Sequence, residues 1–212
     1  MPDWLPSLAI LAAFTPAVVL ITLTPGPDMT LFLAKTLGQN RAAGLAAMLG
    51  ASSGLVVHAL FAAFGLSALL AASPAAFMAV KVAGAVYLLW LAWGALRRGS
   101  AFSMRGDGGA PRPLVEVYAT GLGINLLNPK IVLFFVTFLP QFVSPADPHA
   151  AAKLLFLGLY FIAVAMPICI GLILCADGVA RHMRRSPRVL RAFDYAFAGL
   201  MAAFAARLLV AR

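Results

Sequence analysis

The sequence predicts an all-α membrane protein with six transmembrane helices, arranged as two inverted three-helix repeats in which helices 1 and 4 are broken. Three observations support this prediction: 63% of the 212 residues are hydrophobic, only 11% are charged, and the mean hydropathy is +0.96. A soluble globular domain has about 45–50% apolar and about 25% charged residues, so that class is excluded. Six spans of about 20 residues each fit this length with short loops and leave little room for a soluble domain.

Six apolar segments follow one another along the chain. They cover about 5–36, 42–72, 75–96, 114–139, 151–177 and 191–210. A polar stretch rich in Gly and Arg, residues 98–112, separates two halves of three segments each, about 1–97 and 113–212. We therefore predict one transmembrane transporter domain, residues 1–212, with 98–112 as its basic cytoplasmic loop.

The basic residues predict the orientation of these helices. The formal net charge is +9, with 16 Lys and Arg against 7 Asp and Glu. Most of the basic residues lie in loops 1–2, 3–4 and 5–6, whereas Lys153, Arg207 and Arg212 lie on the other side. By the positive-inside rule these three loops are cytoplasmic and both termini face outward, although a count of five spans would move one terminus. Because the charges lie between apolar segments, we expect no binding to nucleic acid.

Two short polar motifs interrupt the first helix of each half. They are Thr24-Pro25-Gly26-Pro27-Asp28 and Asn128-Pro129-Lys130. The motifs also align, since Pro27 to Phe32 matches Pro129 to Phe134 in spacing and in part in residue type. A unit of three helices inverts its orientation when it is repeated, and matching broken helices in two such halves indicate a binding site near the midplane of the membrane.

Asp28 is the acidic residue of the first break. Pro25 and Pro27 lack N–H donors, so a continuous helix is excluded there, and the freed backbone groups must face protein or a wet cavity. One interpretation is a helix cap beside a kink, because a carboxylate is favoured at a helix N-terminus. The other is a carboxylate that binds a proton or substrate, the default for an acidic residue within a span.

Lys130 is the basic residue of the second break. Pro129 blocks the helical hydrogen bond, and Asn128 can cap the half-helix that follows. Lys130 either extends its long stem to the membrane surface or contributes its charge to a site. If the halves are inverted repeats, Asp28 and Lys130 face each other, and a buried pair would lower the cost of holding either charge in the bilayer.

Lys81 and His58 are further candidates. Lys81 lies just inside the predicted outer end of the third segment, where it either binds substrate or extends to the surface. His58 continues a helix face of small residues that begins with Gly50 and Gly54. Such a face permits close helix packing, and the imidazole either forms a hydrogen bond between helices or transfers protons near neutral pH.

The sequence contains no metal-ligand cluster, phosphate loop or nucleophile–base arrangement, so we expect no enzyme, cofactor or metal. Cys169 and Cys175 are interpreted as small buried hydrophobic residues. The alternative function is a membrane-embedded thiol–disulfide electron carrier, which needs two cysteines placed for exchange. On one helix the two residues are separated by roughly 9 Å along the axis, at about 1.5 Å per residue, so they cannot pair directly.

The combined motifs resemble the lysine-exporter superfamily (LysE/RhtB) over nearly the whole chain. The matching stretches are TPGPD at 24–28, G-x3-G-x3-H at 50–58, K-x-x-G-A-x-Y-L at 81–88, NLLNPK at 125–130 and LPQF at 139–142. The resemblance implies a small exporter of the bacterial inner membrane, with six or five helices, that uses the proton gradient to export lysine, arginine, homoserine, threonine, leucine or similar compounds. Its motifs place the substrate- and proton-binding residues at Pro25, Gly26, Pro27, Asp28, His58, Lys81, Asn125, Asn128, Pro129 and Lys130.

We therefore expect a proton-coupled amino-acid antiporter whose partners are a small amino acid, protons and the lipid bilayer. Three helices in each half leave a thin wall around a cavity, which favours a homodimer. A purely structural subunit is a further alternative, but two broken, charged helices would then reduce stability without a function.

Overall fold

The computed structural model describes residues 3–66, 111–144, 147–176 and 187–210, together with the isolated positions 82, 85, 86, 89, 90, 92–94, 96, 97 and 178. All regular structure within these residues is helical, which confirms the predicted all-α class. The predicted third helix lies largely outside the described residues, as do most of the 98–112 loop and Lys81.

The first predicted broken helix consists of two helices, α1 (Leu8–Leu23) and α2 (Pro27–Gly38), which meet at an angle of 51°. The Ser7 side chain caps α1 by accepting a hydrogen bond from the N–H of Ile10. Gly26 precedes α2, and Pro27 is its first residue. Proline suits this position because the N–H it lacks has no partner inside a helix anyway.

The next helix, α3 (Arg41–Leu60), begins at Asn40, whose side chain accepts a hydrogen bond from the N–H of Ala43. It continues into π-helical turns over Phe61–Leu66. An Asn at this position satisfies one of the N–H groups that a helix start leaves without a partner. Only Gln39 and Asn40 separate α2 from α3, and the two helices contact each other.

The second predicted broken helix also consists of two helices, α4 (Leu114–Leu126) and α5 (Pro129–Leu133). π-helical turns over Phe134–Phe138 and a 3-10 turn over Leu139–Phe142 extend α5. The angle at this break is 49°. A proline is again the first residue after the break, so both predicted interruptions are present at the same position relative to their prolines.

Two long helices complete the described part, α6 (Ala150–Leu174) and α7 (Pro187–Val210). The last helix begins four residues earlier than the predicted 191 because Pro187 supplies a favourable first residue. Two described helical stretches, Arg41–Gly65 and Ala150–Leu174, are long and apolar enough to cross a membrane, and the number rises to four if each bent pair is one span. The complete six-helix inverted repeat stays a prediction.

Helix α3 packs closely against α4 through small residues. A Cβ atom on Gly50 would collide with the carbonyl oxygen of Tyr118, and one on Gly121 would collide with the carbonyl oxygen of Ala47. Small residues let the two backbones touch, which is how helices associate in the absence of a hydrophobic driving force. This contact fixes the height at which the end of α4, and with it the second break, lies beside α3.

Candidate functional site

The structure brings the two breaks together. Asp28 is the second residue of α2 and Lys130 is the second residue of α5, so the two charged side chains occupy equivalent positions after Pro27 and Pro129. Both side chains line the same pocket, together with Asn125 from the end of α4. Opposite charges from the two halves of the chain therefore meet in one cavity.

The carboxylate of Asp28 is held by two side-chain amides from the second break. Its Oδ2 atom accepts hydrogen bonds from Nδ2 of Asn125 at 2.9 Å and from Nδ2 of Asn128 at 3.1 Å. Its Oδ1 atom is buried and has no hydrogen-bond partner. The two amides fix the orientation of the carboxylate, and one of its oxygens has no hydrogen-bond partner.

Asn128 has a second role at the start of α5. Its Oδ1 atom accepts a hydrogen bond from the N–H of Lys130 at 3.1 Å, which caps the helix, while its amide nitrogen donates to Asp28. Both ends of one side chain are therefore used. The cap that begins the second half-helix also orients the carboxylate of the first break.

The ammonium of Lys130 binds backbone carbonyls of the first break. Its Nζ atom donates to the carbonyl oxygen of Ile21 at 3.1 Å and to that of Thr24 at 3.0 Å. The carbonyl of Ile21 would pair with the N–H four residues later in a continuous helix, but that residue is Pro25, which has no N–H. Lys130 thus supplies the donor that this proline removes.

Gly26 makes this contact sterically accessible. A Cβ atom at Gly26 would lie 3.0 Å from Nζ of Lys130, closer than ordinary van der Waals contact. The expected direct pair between Asp28 and Lys130 is not formed, because each charge is bound by polar groups of the opposite break instead. An ammonium has three N–H donors, and two of those of Lys130 donate to carbonyl oxygens here, so the third has no partner among the described residues.

The pocket contains about 570 Å³ of empty space, including its open mouth. Its polar lining residues are Thr22, Asp28, Ser52, Asn125, Lys130 and Cys169. Its apolar lining residues are Ile21, Met29, Phe32, Met48, Ala51, Leu55, Ile131, Phe161, Ala165, Met166 and Leu172. A mostly apolar cavity with a few convergent polar groups is typical of a small-molecule binding site.

His58 and Gly54 contact the site from behind Asn125. The Nε2 atom of His58 lies 3.3 Å from the carbonyl oxygen of Asn125, and its ring centroid lies 5.8 Å from that of Phe135. A Cβ atom on Gly54 would lie 2.5 Å from Oδ1 of Asn125. The imidazole is outside the pocket lining, so in this structure it joins two helices rather than facing a ligand.

Ser52 and Cys169 line the pocket, although neither belongs to a motif that predicts a site residue. Ser52 lies at helical spacing from Met48 and Leu55, on the same face of α3. This face is adjacent to the one that contains Gly50 and Gly54. Cys169 lines the pocket, whereas Cys175 is exposed, so the interpretation of both as buried residues was wrong for Cys175. Cys175 is the C-cap residue of α6, directly after its last residue, Leu174.

Comparisons with known proteins match nearly the whole chain. The family model of the LysE type translocators matches residues 19–212. A homoserine/homoserine lactone efflux protein of Salmonella typhimurium is 28% identical over 193 residues, which cover 91% of this chain and 92% of the relative. A leucine efflux protein of Enterobacter sp. (strain 638) is 30% identical over 194 residues, 89% of each chain.

An uncharacterized membrane protein of Pseudomonas aeruginosa is 30% identical over 199 residues, 92% of each chain. No solved structure matches the chain significantly. The family model covers far more than half of the sequence, and its range includes both breaks and every residue of the pocket. The chain therefore belongs to the LysE type translocator family.

Proposed function

We propose that this protein is a secondary transporter that exports small amino acids or their derivatives across the bacterial inner membrane. The observation that carries the proposal is the shared pocket of Asp28 and Lys130, two opposite charges placed at two broken helices. Ionisable residues inside the membrane are energetically unfavourable, and those that occur there are typical of transport sites. The names of the relatives, homoserine/homoserine lactone and leucine efflux proteins, support the same substrate class.

The polar groups of the pocket complement an amino-acid zwitterion. The substrate ammonium binds the unpartnered Oδ1 of Asp28, and the substrate carboxylate binds the remaining N–H donor of Lys130. Because the carboxylate of Asp28 is held by Asn125 and Asn128, it needs little reorganisation on binding. We also propose that His58 carries protons and that Lys81 is a further binding group for the substrate.

Proton coupling follows from the same carboxylate. A proton that enters from outside and binds Asp28 removes the charge that attracts the substrate ammonium, so the substrate is released there. Loss of that proton to the cytoplasm restores the binding site. One proton thus moves inward for each substrate released, which makes the protein an antiporter.

The proposed orientation places loops 1–2, 3–4 and 5–6 in the cytoplasm, since they carry most of the Lys and Arg residues. We also propose a homodimer, because the three helices that the sequence predicts in each half would leave only a thin wall around a cavity. Crosslinking of the purified protein in liposomes measures the oligomeric state, and a monomer with full transport would overturn the dimer.

Efflux from loaded proteoliposomes tests the proposed function. Asp28→Asn is expected to abolish proton-coupled efflux, because the neutral amide neither attracts an ammonium nor binds a proton. The matched control is Asp147→Asn, which removes a carboxylate outside the pocket, in the connection before α6. Unchanged, still proton-coupled efflux by the Asp28→Asn protein would overturn the proposal.

The thiol–disulfide carrier is not supported. Cys169 and Cys175 are both free thiols, and only Cys169 lines the pocket. We expect a variant with serine at both positions to keep its efflux activity in a reducing and in an oxidising buffer. A strict requirement for both thiols would favour the carrier instead.

A further inference from the structure

The acidic end of the pocket can bind one positive charge. Of the pocket-lining residues that the structure describes, Asp28 alone is acidic. Its Oδ2 atom already accepts two amide donors, and only Oδ1 is left without a partner. The Oδ1 atom of Asn125 also lacks a partner, but it lies against Gly54. One substrate ammonium at Oδ1 of Asp28 therefore neutralises the single negative charge of the site.

The rest of the pocket favours an uncharged substrate side chain. Its wall is mostly apolar, with Thr22, Ser52 and Cys169 as uncharged polar residues, and it contains the ring of Phe161 and three methionines, Met29, Met48 and Met166. A second ammonium placed against this wall would lose its hydration without gaining a carboxylate, which is strongly unfavourable. Methionine side chains are flexible and polarizable, so they adapt to apolar groups of different shape.

We infer that the pocket selects amino acids with uncharged, mainly aliphatic side chains and rejects dibasic amino acids. This inference rests on the proposed function and narrows its substrate class. Asp28 binds the α-ammonium, Lys130 binds the α-carboxylate, and the methionine-rich wall contacts the side chain. Norleucine and lysine are a suitable pair of probes, because lysine adds a terminal ammonium to a chain of nearly the same length.

Cys169 provides a binding assay that is independent of transport. Its thiol lines the pocket, whereas the exposed Cys175 lies outside it and serves as the internal control. In the purified full-length protein, N-ethylmaleimide modifies each thiol at a rate that mass spectrometry measures. Norleucine is expected to slow the modification of Cys169 at least about fivefold and to leave that of Cys175 unchanged. The concentration of lysine that gives the same protection of Cys169 is expected to be at least about tenfold higher.

Counterflow in proteoliposomes supplies the second measurement. Norleucine is expected to exchange at least about tenfold faster than lysine at equal concentrations. Equal protection and equal exchange by lysine would overturn the selectivity but would leave amino-acid export intact. Absence of both protection and exchange for every amino acid tested would overturn the proposed function together with the inference.

A pair of substitutions at Ser52 tests the cause of the selectivity. Ser52 is a half-buried residue of the pocket wall, so it tolerates a polar replacement better than the buried methionine Met48 does. Ser52→Asp adds a carboxylate to the wall and is expected to shift the lysine-to-norleucine ratio toward lysine at least about fivefold. Ser52→Asn has nearly the same shape without the charge and is expected to keep the original ratio. A shift of equal size in both variants would overturn the electrostatic explanation.

Discussion

The ammonium of Lys130 lies 3.1 Å from the carbonyl oxygen of Ile21. That carbonyl has no helical partner because Pro25, four residues later, lacks an N–H. The second break thus satisfies a backbone group that the first break exposes. In return, the carboxylate of Asp28 from the first break accepts two amide hydrogen bonds from the second break.

These reciprocal hydrogen bonds couple the two halves of the chain. Four hydrogen bonds join the breaks, two to Asp28 and two from Lys130, and a relative movement of the breaks disrupts them together. A ligand that binds Asp28 and Lys130 touches both halves at once. If the ligand binds one arrangement of the two halves more tightly than another, it shifts the equilibrium toward that arrangement, as alternating access requires.

Lys130→Met is the most direct test of this coupling. The variant keeps the length of the side chain but leaves two carbonyls without a donor, so we expect efflux to be abolished and the unfolding free energy to fall by about 1–3 kcal/mol. Denaturation in detergent and efflux from proteoliposomes measure the two effects. Lys153→Met is the control, since Lys153 binds Asp147 away from the pocket. Normal efflux by the Lys130→Met protein would contradict the role of this residue in binding.

Gly54→Ala should disturb the site without altering a polar group. The new Cβ would lie 2.5 Å from Oδ1 of Asn125, so the side chain must move away from its hydrogen bond with Asp28. We expect the KM for efflux to rise about tenfold or more, which corresponds to about 1.4 kcal/mol. Gly123→Ala, on the same helix as Asn125, is the control because nothing lies within 4 Å of the added Cβ. Equal effects of the two substitutions would assign the loss to helix packing alone.

The sequence was sufficient to predict the helical class and the positions of both breaks. Composition determined the class, and the prolines of the two motifs marked the breaks, because proline acts on the backbone locally. Asp28 and Lys130 stood out as charges within apolar segments, and the structure places both in one pocket. These predictions depend on the residue and its immediate neighbours in sequence.

The pattern of contacts could not be predicted in the same way. Lys130 binds backbone carbonyls 109 and 106 positions earlier in the chain. The prolines predict that carbonyls at the first break lose their helical partners, but they do not predict which distant side chain donates to them. Ser52 was missed for a related reason: its helix face becomes the pocket wall only when α3 packs on its neighbours. Tertiary packing, and not local pattern, decides which of two adjacent helix faces lines a cavity.

Cys169→Phe tests whether the cavity is the path of the substrate. A phenyl group in place of the thiol fills part of the empty space, so we expect efflux to fall at least about tenfold while the protein still folds. Cys175→Phe is the matched control, because Cys175 is exposed beyond the end of α6. Efflux of a radiolabelled amino acid and size-exclusion chromatography measure activity and folding. Full efflux by the Cys169→Phe protein would place the path elsewhere.

We expect the ionisation of Asp147 to affect the stability of the protein but not the pH dependence of transport. A hydrogen bond from the Lys153 ammonium, assisted by the backbone N–H of His149, lowers the pKa of Asp147 below its ordinary value of 3.8. A carboxyl whose pKa is lower in the folded state contributes stability above its unfolded pKa, and this contribution is lost as the pH falls through the folded pKa. Asp147 therefore stays ionised throughout the range in which a proton-coupled transporter works.

Asp147→Asn should accordingly lower the melting temperature slightly at pH 7, and the difference from the parent protein should vanish when the pH falls well below 3.8. Between pH 5 and 8 we expect the efflux–pH profile of this variant to match that of the parent protein, because the substituted carboxyl does not titrate there. Calorimetry and proteoliposome efflux measure the two curves. A displaced efflux profile would mean that the connection before α6 takes part in proton transfer, and the assignment of coupling to Asp28 and His58 would then be wrong.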